Sequence, residues 1–288
     1  MILKSLCALL CSALLIAPAV AQDSALPQVE LSVPPIRGLA HIAIRVADIA
    51  ASRAFYEKLG FEQAFENSTN GTTTQAFIKI NDRQFIELYP KTAADPTIGF
   101  MHLCFDGEDL ASLYTFYVAQ GLNPTQIRTA GAGNLLFTLR GPENQNIEFT
   151  QYMPGSRHTA DVGQHLGPNR IADNFFAVSL AMKDPAAAVA FYTRKMAFTT
   201  IGNNPNLLLI TGSRFTEDED LPGPGSQQIL IEPHFGAFSR IFLWVSDLSN
   251  VSAELKKRNI PYNPTAKSIT VTDPDGNQLV FTTSKTAG

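Results

Sequence analysis

Cysteine is scarce. The chain of 288 residues holds three, and two of them, Cys7 and Cys11, fall in a segment with the marks of a removable leader. Cys104 alone would remain, so no internal disulfide can form and stability has to come from buried apolar cores. A large excess of one charge is also missing: 22 Lys and Arg stand against 26 Asp and Glu, dispersed along the chain, for a net charge of −4. That excludes a basic groove for nucleic acid. No phosphate-cradling glycine loop and no nucleophile elbow occurs. The apolar run from Leu6 to Ile16 is too short and wrongly flanked for a membrane span. With Lys4 before it and Ala19-Val20-Ala21 after it, residues 1–21 are expected to be a secretory signal. The mature protein is then exported, periplasmic or secreted, with no integral membrane segment.

What is present is a repeated unit. Residues 39–46, Leu-Ala-His-Ile-Ala-Ile-Arg-Val, alternate as a strand. Ala40, Ile42, Ile44 and Val46 form one face, and Leu39, His41, Ala43 and Arg45 the other. A short helix over 50–58 follows and Gly60 ends it, then strands over 61–65, 73–80 and 84–89, a βαβββ module. The pattern restarts at Phe100, with a helix over 109–120 and a closing strand over 146–152. A third copy begins at Phe175, where a shift of 136 residues sets Phe191-Tyr192 on Phe55-Tyr56 and Asp184 on Asp48. These aromatics sit at helix-core positions. The fourth begins near Phe238 and carries Asp247-Leu248 on Asp109-Leu110. The expected fold is therefore α+β: two domains, each a pair of βαβββ modules forming a cupped mixed sheet with helices on the outer face. The expected divisions are an extended lead-in over 22–37, a first domain over 38–153, a linker over 154–173 and a second domain over 174–284. The acidic, Gly/Pro-rich Thr216–Ser226 is read as an extra loop. His158 and His165, in the linker, are read as surface residues.

The first two modules share a spacing. Glu87 lies 46 residues after His41, and Glu148 lies 46 after His102. Each module thus sets a His on its first strand and a Glu on its last, and alternation turns all four away from the helices. Two carboxylates inside a sheet are destabilising without a cation among them. Two imidazoles and two carboxylates suit a divalent metal: Zn, Ni, Co, Mn or Fe(II). Arg45 and Cys104 share these faces and are weaker candidates for lining a substrate pocket.

The paired modules, the His opening each, the Phe-Tyr…Leu-Gly-Phe helix exit and the closing strand after Asp273-Pro-Asp-Gly-Asn277 resemble the vicinal oxygen chelate superfamily. That group includes glyoxalase I, methylmalonyl-CoA epimerase, fosfomycin-resistance enzymes, extradiol dioxygenases and bleomycin-binding proteins. The resemblance implies that His41, Glu87, His102 and Glu148 are metal ligands and that the metal chelates neighbouring oxygens of a small-molecule substrate. A fourth ligand at Glu87 is similar to glyoxalase I, which implies a lyase or isomerase with Glu148 or Glu87 moving a proton. His41, His102 and Glu148 alone would match an Fe(II) extradiol dioxygenase, and a non-catalytic binding protein is the third alternative. In the second pair His41 aligns with Ala177, His102 with Arg240, Glu148 with Val280 and Glu87 with Glu232, so that domain is expected to be degenerate. Paired modules of this kind are compatible with a monomer or a homodimer.

Overall fold

Each module starts its helix in the same way. Asp48, Asp109, Asp184 and Asp247 each turn a carboxylate onto free backbone N–H groups of a ten-residue helix. The computed structural model describes residues 33–213, 223–234 and 240–288. The expected signal, most of the lead-in and most of the 216–226 loop lie outside the described residues. Val33–Gly288 form one compact unit. No helix among the described residues is long and apolar enough to cross a membrane.

The first pair comprises β1 (Ile36–Val46), α1 (Ile49–Lys58), β2 (Gln63–Thr69), β3 (Thr72–Lys79) and β4 (Phe85–Pro90), then β5 (Gly99–Gly107), α2 (Leu110–Ala119), β6 (Arg128–Thr129), β7 (Leu135–Arg140) and β8 (Asn146–Gln151). A one-turn helix, α3 (Arg157–Ala160), precedes the second pair. That pair holds β9 (Phe175–Met182), α4 (Pro185–Arg194), β10 (Thr199–Ile201), β11 (Asn204–Leu209) and β12 (Gln228–Pro233), then β13 (Arg240–Trp244), α5 (Leu248–Lys257), β14 (Asn263–Pro264), β15 (Ser268–Thr272) and β16 (Gln278–Thr282). Each pair makes one eight-stranded mixed sheet, ordered β2-β3-β4-β1-β5-β8-β7-β6 and β10-β11-β12-β9-β13-β16-β15-β14. This is the expected two-domain α+β arrangement.

The first strands of the two modules, β1 and β5, pair antiparallel at the centre of the sheet, with His41 opposite Cys104 and Ala43 opposite His102. A two-fold axis between those rungs exchanges 41 with 102 and 43 with 104. The pairing of β1 with β5 shifts register at three places, and one of them bears on the site. The pairing shifts between Leu39 and His41, and this bulge turns Leu39 into the core with Ile42, Ile44 and Val46 rather than onto the His41 face.

The domains contact each other through equivalent parts. Asp275 accepts the Ala47 N–H at 3.0 Å and the Ser52 hydroxyl at 3.2 Å, and Asp273 accepts the Tyr56 hydroxyl at 3.1 Å. In mirror fashion the Gln145 amide donates to Tyr192 Oη at 3.3 Å, and Glu143 accepts the Asp184 N–H at 2.9 Å. The buried ring edges at Tyr56 and Tyr192 thus serve the interface as well as the helix core.

The residues between the sheets pack against the first domain. Lys79, with no exposed surface, places its ammonium among Asp161 Oδ2 (2.8 Å), the Asp161 and Gln164 carbonyls (2.6 and 2.7 Å) and Asp82 Oδ1 (2.8 Å). Removing one partner of a buried pair strands the other charge. Lys79→Met is therefore expected to lower stability by about 3 kcal/mol, read from urea unfolding midpoints at unchanged slope. A loss below about 1 kcal/mol would show that this clamp does not hold the connecting segment.

Candidate metal centre

Four side chains meet on the concave face of the first sheet, and the register explains how. His41 pairs with Phe85 on β4, and Glu87 stands two residues further along that strand. His102 pairs with Asn146 on β8, and Glu148 stands two further on. The two-fold axis that exchanges the histidines therefore exchanges the glutamates. Alternation turns all four to one side, while Ile42, Ile86, Leu103 and Ile147 pack on the other.

The donors are close together. His41 Nε2 lies 3.2 Å from His102 Nε2 and 3.5 Å from Glu148 Oε1, while His41 Nδ1 lies 3.2 Å from Glu87 Oε1. Glu87 is tied further: its Oε2 accepts from the Gln75 amide at 2.6 Å and from the Tyr89 hydroxyl at 3.0 Å. Glu148 instead has the Cys104 thiol beside it, within 4.8 Å, and that thiol donates to the Phe105 carbonyl at 3.7 Å. His41, Glu87 and His102 form one group able to hold an ion, and His41, Cys104 and Glu148 a second that shares His41. Burial, reinforced by the nearby Glu148 carboxylate, pushes the Glu87 carboxyl up to about 8, and burial takes Glu148 to about 7. Burial also lowers His102 to about 4, and it lowers His41, with His102 and His158 adding to the effect. The cluster therefore disfavours its own charge. A divalent cation fits the donor chemistry: it supplies the positive charge that two buried carboxylates lack, and neutral imidazoles are its usual ligands.

A cavity of about 170 Å³ opens beside these residues, lined by His41, Glu87 and Glu148 and capped by Asn67, Arg128 and His158 among others. Of the expected lining residues, Arg45 is directed elsewhere, 3.5 Å from Asp95 Oδ2. Cys104 is fully buried beneath the cluster, and neither it nor Arg45 lines the cavity. His158, expected at the surface, is 5 % exposed and lines the cavity wall. Its ring stands edge-on to Phe65, Phe77 and Phe85, with centroids 4.9, 5.4 and 4.8 Å away. The Asn134 carbonyl oxygen accepts from the Met153 N–H, which turns the Asn134 amide N–H onto His158 Nδ1 at 2.9 Å. That fixes the tautomer with the ring proton on Nε2. Nε2 has no hydrogen-bond partner among the described residues. His158 has no counterpart at the repeat spacing; only its place after the closing strand, where a turn could fold back over the cup, hinted at it. His165, which is half exposed, does stay at the surface, against Asp161.

The second cup has the same backbone and different contents. Ala177 pairs with Gln228 and Phe242, Leu230 with Ser179, and Phe242 with Val280. The four positions equivalent to His41, Glu87, His102 and Glu148 are therefore Ala177, Leu230, Arg240 and Val280. Glu232 is not the counterpart of Glu87; it pairs with Ala181, two residues further along, at the place Tyr89 holds in the first domain, and it binds the Arg240 guanidinium. Ala177, Leu207, Leu230, Phe242, Val280 and Ala287 fill the cup as an apolar cluster.

The shifted acids and bases predict a pH signature for chelator-treated protein. Glu87 and Glu148 are raised above their unfolded values, so their protonated forms favour the folded state and stability drains away as pH rises towards 8. His41 and His102 are lowered, so their contribution is lost as pH falls below about 6.5. The two effects oppose each other between pH ~4.5 and ~6.5, and above that only the glutamates act. Thermal unfolding should therefore show stability falling between pH 6.5 and 8.5, and Glu87→Gln/Glu148→Gln should remove the fall. A flat profile in the unsubstituted protein would contradict the burial of these carboxyls.

Residues 38–149 match the family described as Glyoxalase/Bleomycin resistance protein/Dioxygenase superfamily. No curated protein compared with the chain matches it. Among solved structures the chain is similar to a catechol 2,3-dioxygenase, at 11% identity and TM-score 0.63 over 86% of this chain and 88% of that one. It is similar to the 2,3-dioxygenase LapB from Pseudomonas sp. KL28, at 14% identity and TM-score 0.61 over 87% and 93%. It is also similar to a Mn(II)-bound glyoxalase from Novosphingobium aromaticivorans, at 15% identity and TM-score 0.59 over 86% and 82%. At these identities the likeness is one of fold. The family match lies within the first domain; together with the likeness of fold over both domains, the chain fits the vicinal oxygen chelate superfamily, the group of the glyoxalases and extradiol dioxygenases.

Proposed function

We propose that the chain is a divalent-metal-dependent enzyme of the glyoxalase type, a lyase or isomerase acting on a small substrate with neighbouring oxygens. His41, Glu87, His102 and Glu148 hold the metal in the first domain, taken as residues 38–153. The observation that carries this reading is the two-fold equivalence of the four donors, which makes each module supply one imidazole and one carboxylate. A bound divalent metal would polarise the substrate's paired oxygens as a Lewis acid. The protein's own part is to fix some groups and leave one free to move. Glu87 is tethered by Gln75 and Tyr89, whereas Glu148 has only a thiol and a 3.5 Å contact to His41. Glu148 is thus the carboxylate that takes a proton from the carbon beside the polarised carbonyl and returns it. The described residues of 174–284, joined through 154–173, carry no such set, and that domain serves as a structural partner. The N-terminal segment supports export, which leaves cytosolic thiol adducts as poor candidates for the substrate.

One observation favours a second reading, an Fe(II) extradiol-type dioxygenase. Glu87 meets His41 on its Nδ1 side, away from the Nε2 edge where His102 and Glu148 gather. This reading uses His41, His102 and Glu148 as a two-His-one-carboxylate set, with Glu87 orienting the ring of His41.

Elemental analysis of protein purified without added metal is expected to find stoichiometric divalent metal. Finding none, with no thermal shift on adding metal, would leave only a binding protein. Glu87→Gln then separates the enzymes. A four-ligand site loses metal affinity by about 10–100-fold, while a three-ligand dioxygenase keeps its metal and consumes oxygen with a catechol panel.

A further inference from the structure

Apart from the donors Glu87 and Glu148, the described lining of the cavity beside the candidate metal centre carries one charged side chain. Asn67, Gln75, Asn134 and His158 contribute uncharged polar groups, and Arg128 contributes the only Arg or Lys side chain on its wall. The other arginines around the first cup are occupied. Arg157 donates to the Glu66 carbonyl and Asn67 Oδ1 and lies over the Phe65 ring, Arg83 binds Asp106, and Arg45 meets Asp95. The Arg128 guanidinium has neither a hydrogen bond nor an ion pair among the described residues. Its charge nonetheless reaches the site, since it is one of the groups that draw the Glu148 carboxyl downward.

Its place in the fold is set by the sheet edge. Arg128 lies on the two-residue edge strand β6, opposite Leu136 on β7. The turn that follows carries Ala130, Gly131 and Ala132 over the cavity, and Gly131 comes up to Asn67 on the far edge strand, β2. The guanidinium thus stands at the rim of a partly closed cup whose floor carries the metal donors. The charges at the site then set what can occupy it. A divalent cation with Glu87 and Glu148 sums to zero, so Arg128 leaves a single positive charge for the occupant to neutralise. A cavity near 170 Å³ is about the size that takes one six-membered ring.

We propose that Arg128 is a specificity-determining residue that takes the carboxylate of a small monoanionic substrate whose neighbouring oxygens reach the metal. Guanidinium and carboxylate match as a two-point hydrogen-bonded pair, and a neutral analogue would leave Arg128 without a partner. The inference rests on the metal-chelation reading given above and names the substrate class within it.

The test is isothermal titration calorimetry on zinc-loaded protein, in which no oxidation can turn the probes over. The probes are catechol, 3,4-dihydroxybenzoate and its methyl ester, so acid and ester differ in charge at nearly constant shape. The acid is expected to bind about tenfold more tightly than the ester, with the difference shrinking as salt is raised. Arg128→Gln should bring the acid down to the affinity of the ester, and Arg128→Lys should keep part of the preference. Equal binding of acid and ester, or a preference that survives Arg128→Gln, would overturn the role of Arg128 while leaving chelation standing. If none of the three binds, chelation fails and this inference fails with it.

Discussion

Two imidazoles and two carboxyl groups are buried side by side in the first cup, and the rest of that domain is arranged so that they can be. Any one of them alone could be accommodated by a hydrogen bond. Together they make a site that is uncomfortable in either charge state: ionised carboxylates repel each other in a poorly hydrated space, and the imidazoles are held neutral by the same burial. The central β1–β5 pair brings the groups together by symmetry, and each module contributes the same two positions. A cation among them would remove the penalty, which is what makes these four side chains candidate metal ligands.

The second domain shows what that backbone becomes without the donors. The same topology and register are kept, but Ala177, Leu230 and Val280 replace three of the four side chains and an apolar cluster fills the cup. Arg240, at the fourth place, is neutralised by Glu232. Burial that is costly in one domain is simply stabilising in the other. The domains are then joined by turn-to-helix hydrogen bonds repeated on the two sides, through Asp273 and Asp275 on one and Glu143 and Gln145 on the other.

Two further segments close over the first cup. The segment after β8 swings back over the first cup, anchored by the buried Lys79 ammonium, and inserts His158 among three phenylalanines. The β6–β7 turn closes in from the opposite edge and carries Arg128 to the rim. The central strands carry the four candidate donors, and these two segments line the cavity above them.

The sequence by itself determined the repeat, the alternation and the equal 46-residue intervals, because strand periodicity and helix caps are local properties written into neighbouring residues. His41, Glu87, His102 and Glu148 were legible for that reason. Tertiary structure alone decided what depends on pairing between distant strands. A bulge at Leu39 moved one side chain into the core, and the β9–β12 register made Leu230 rather than Glu232 the partner position of Glu87. Cys104 and Arg45 share the strand faces of the histidines, yet pairing buried the one and an acidic neighbour drew away the other. His158 lies on a segment with no periodicity to read and Arg128 on a two-residue strand, and only the closing of the cup brings them to the cavity.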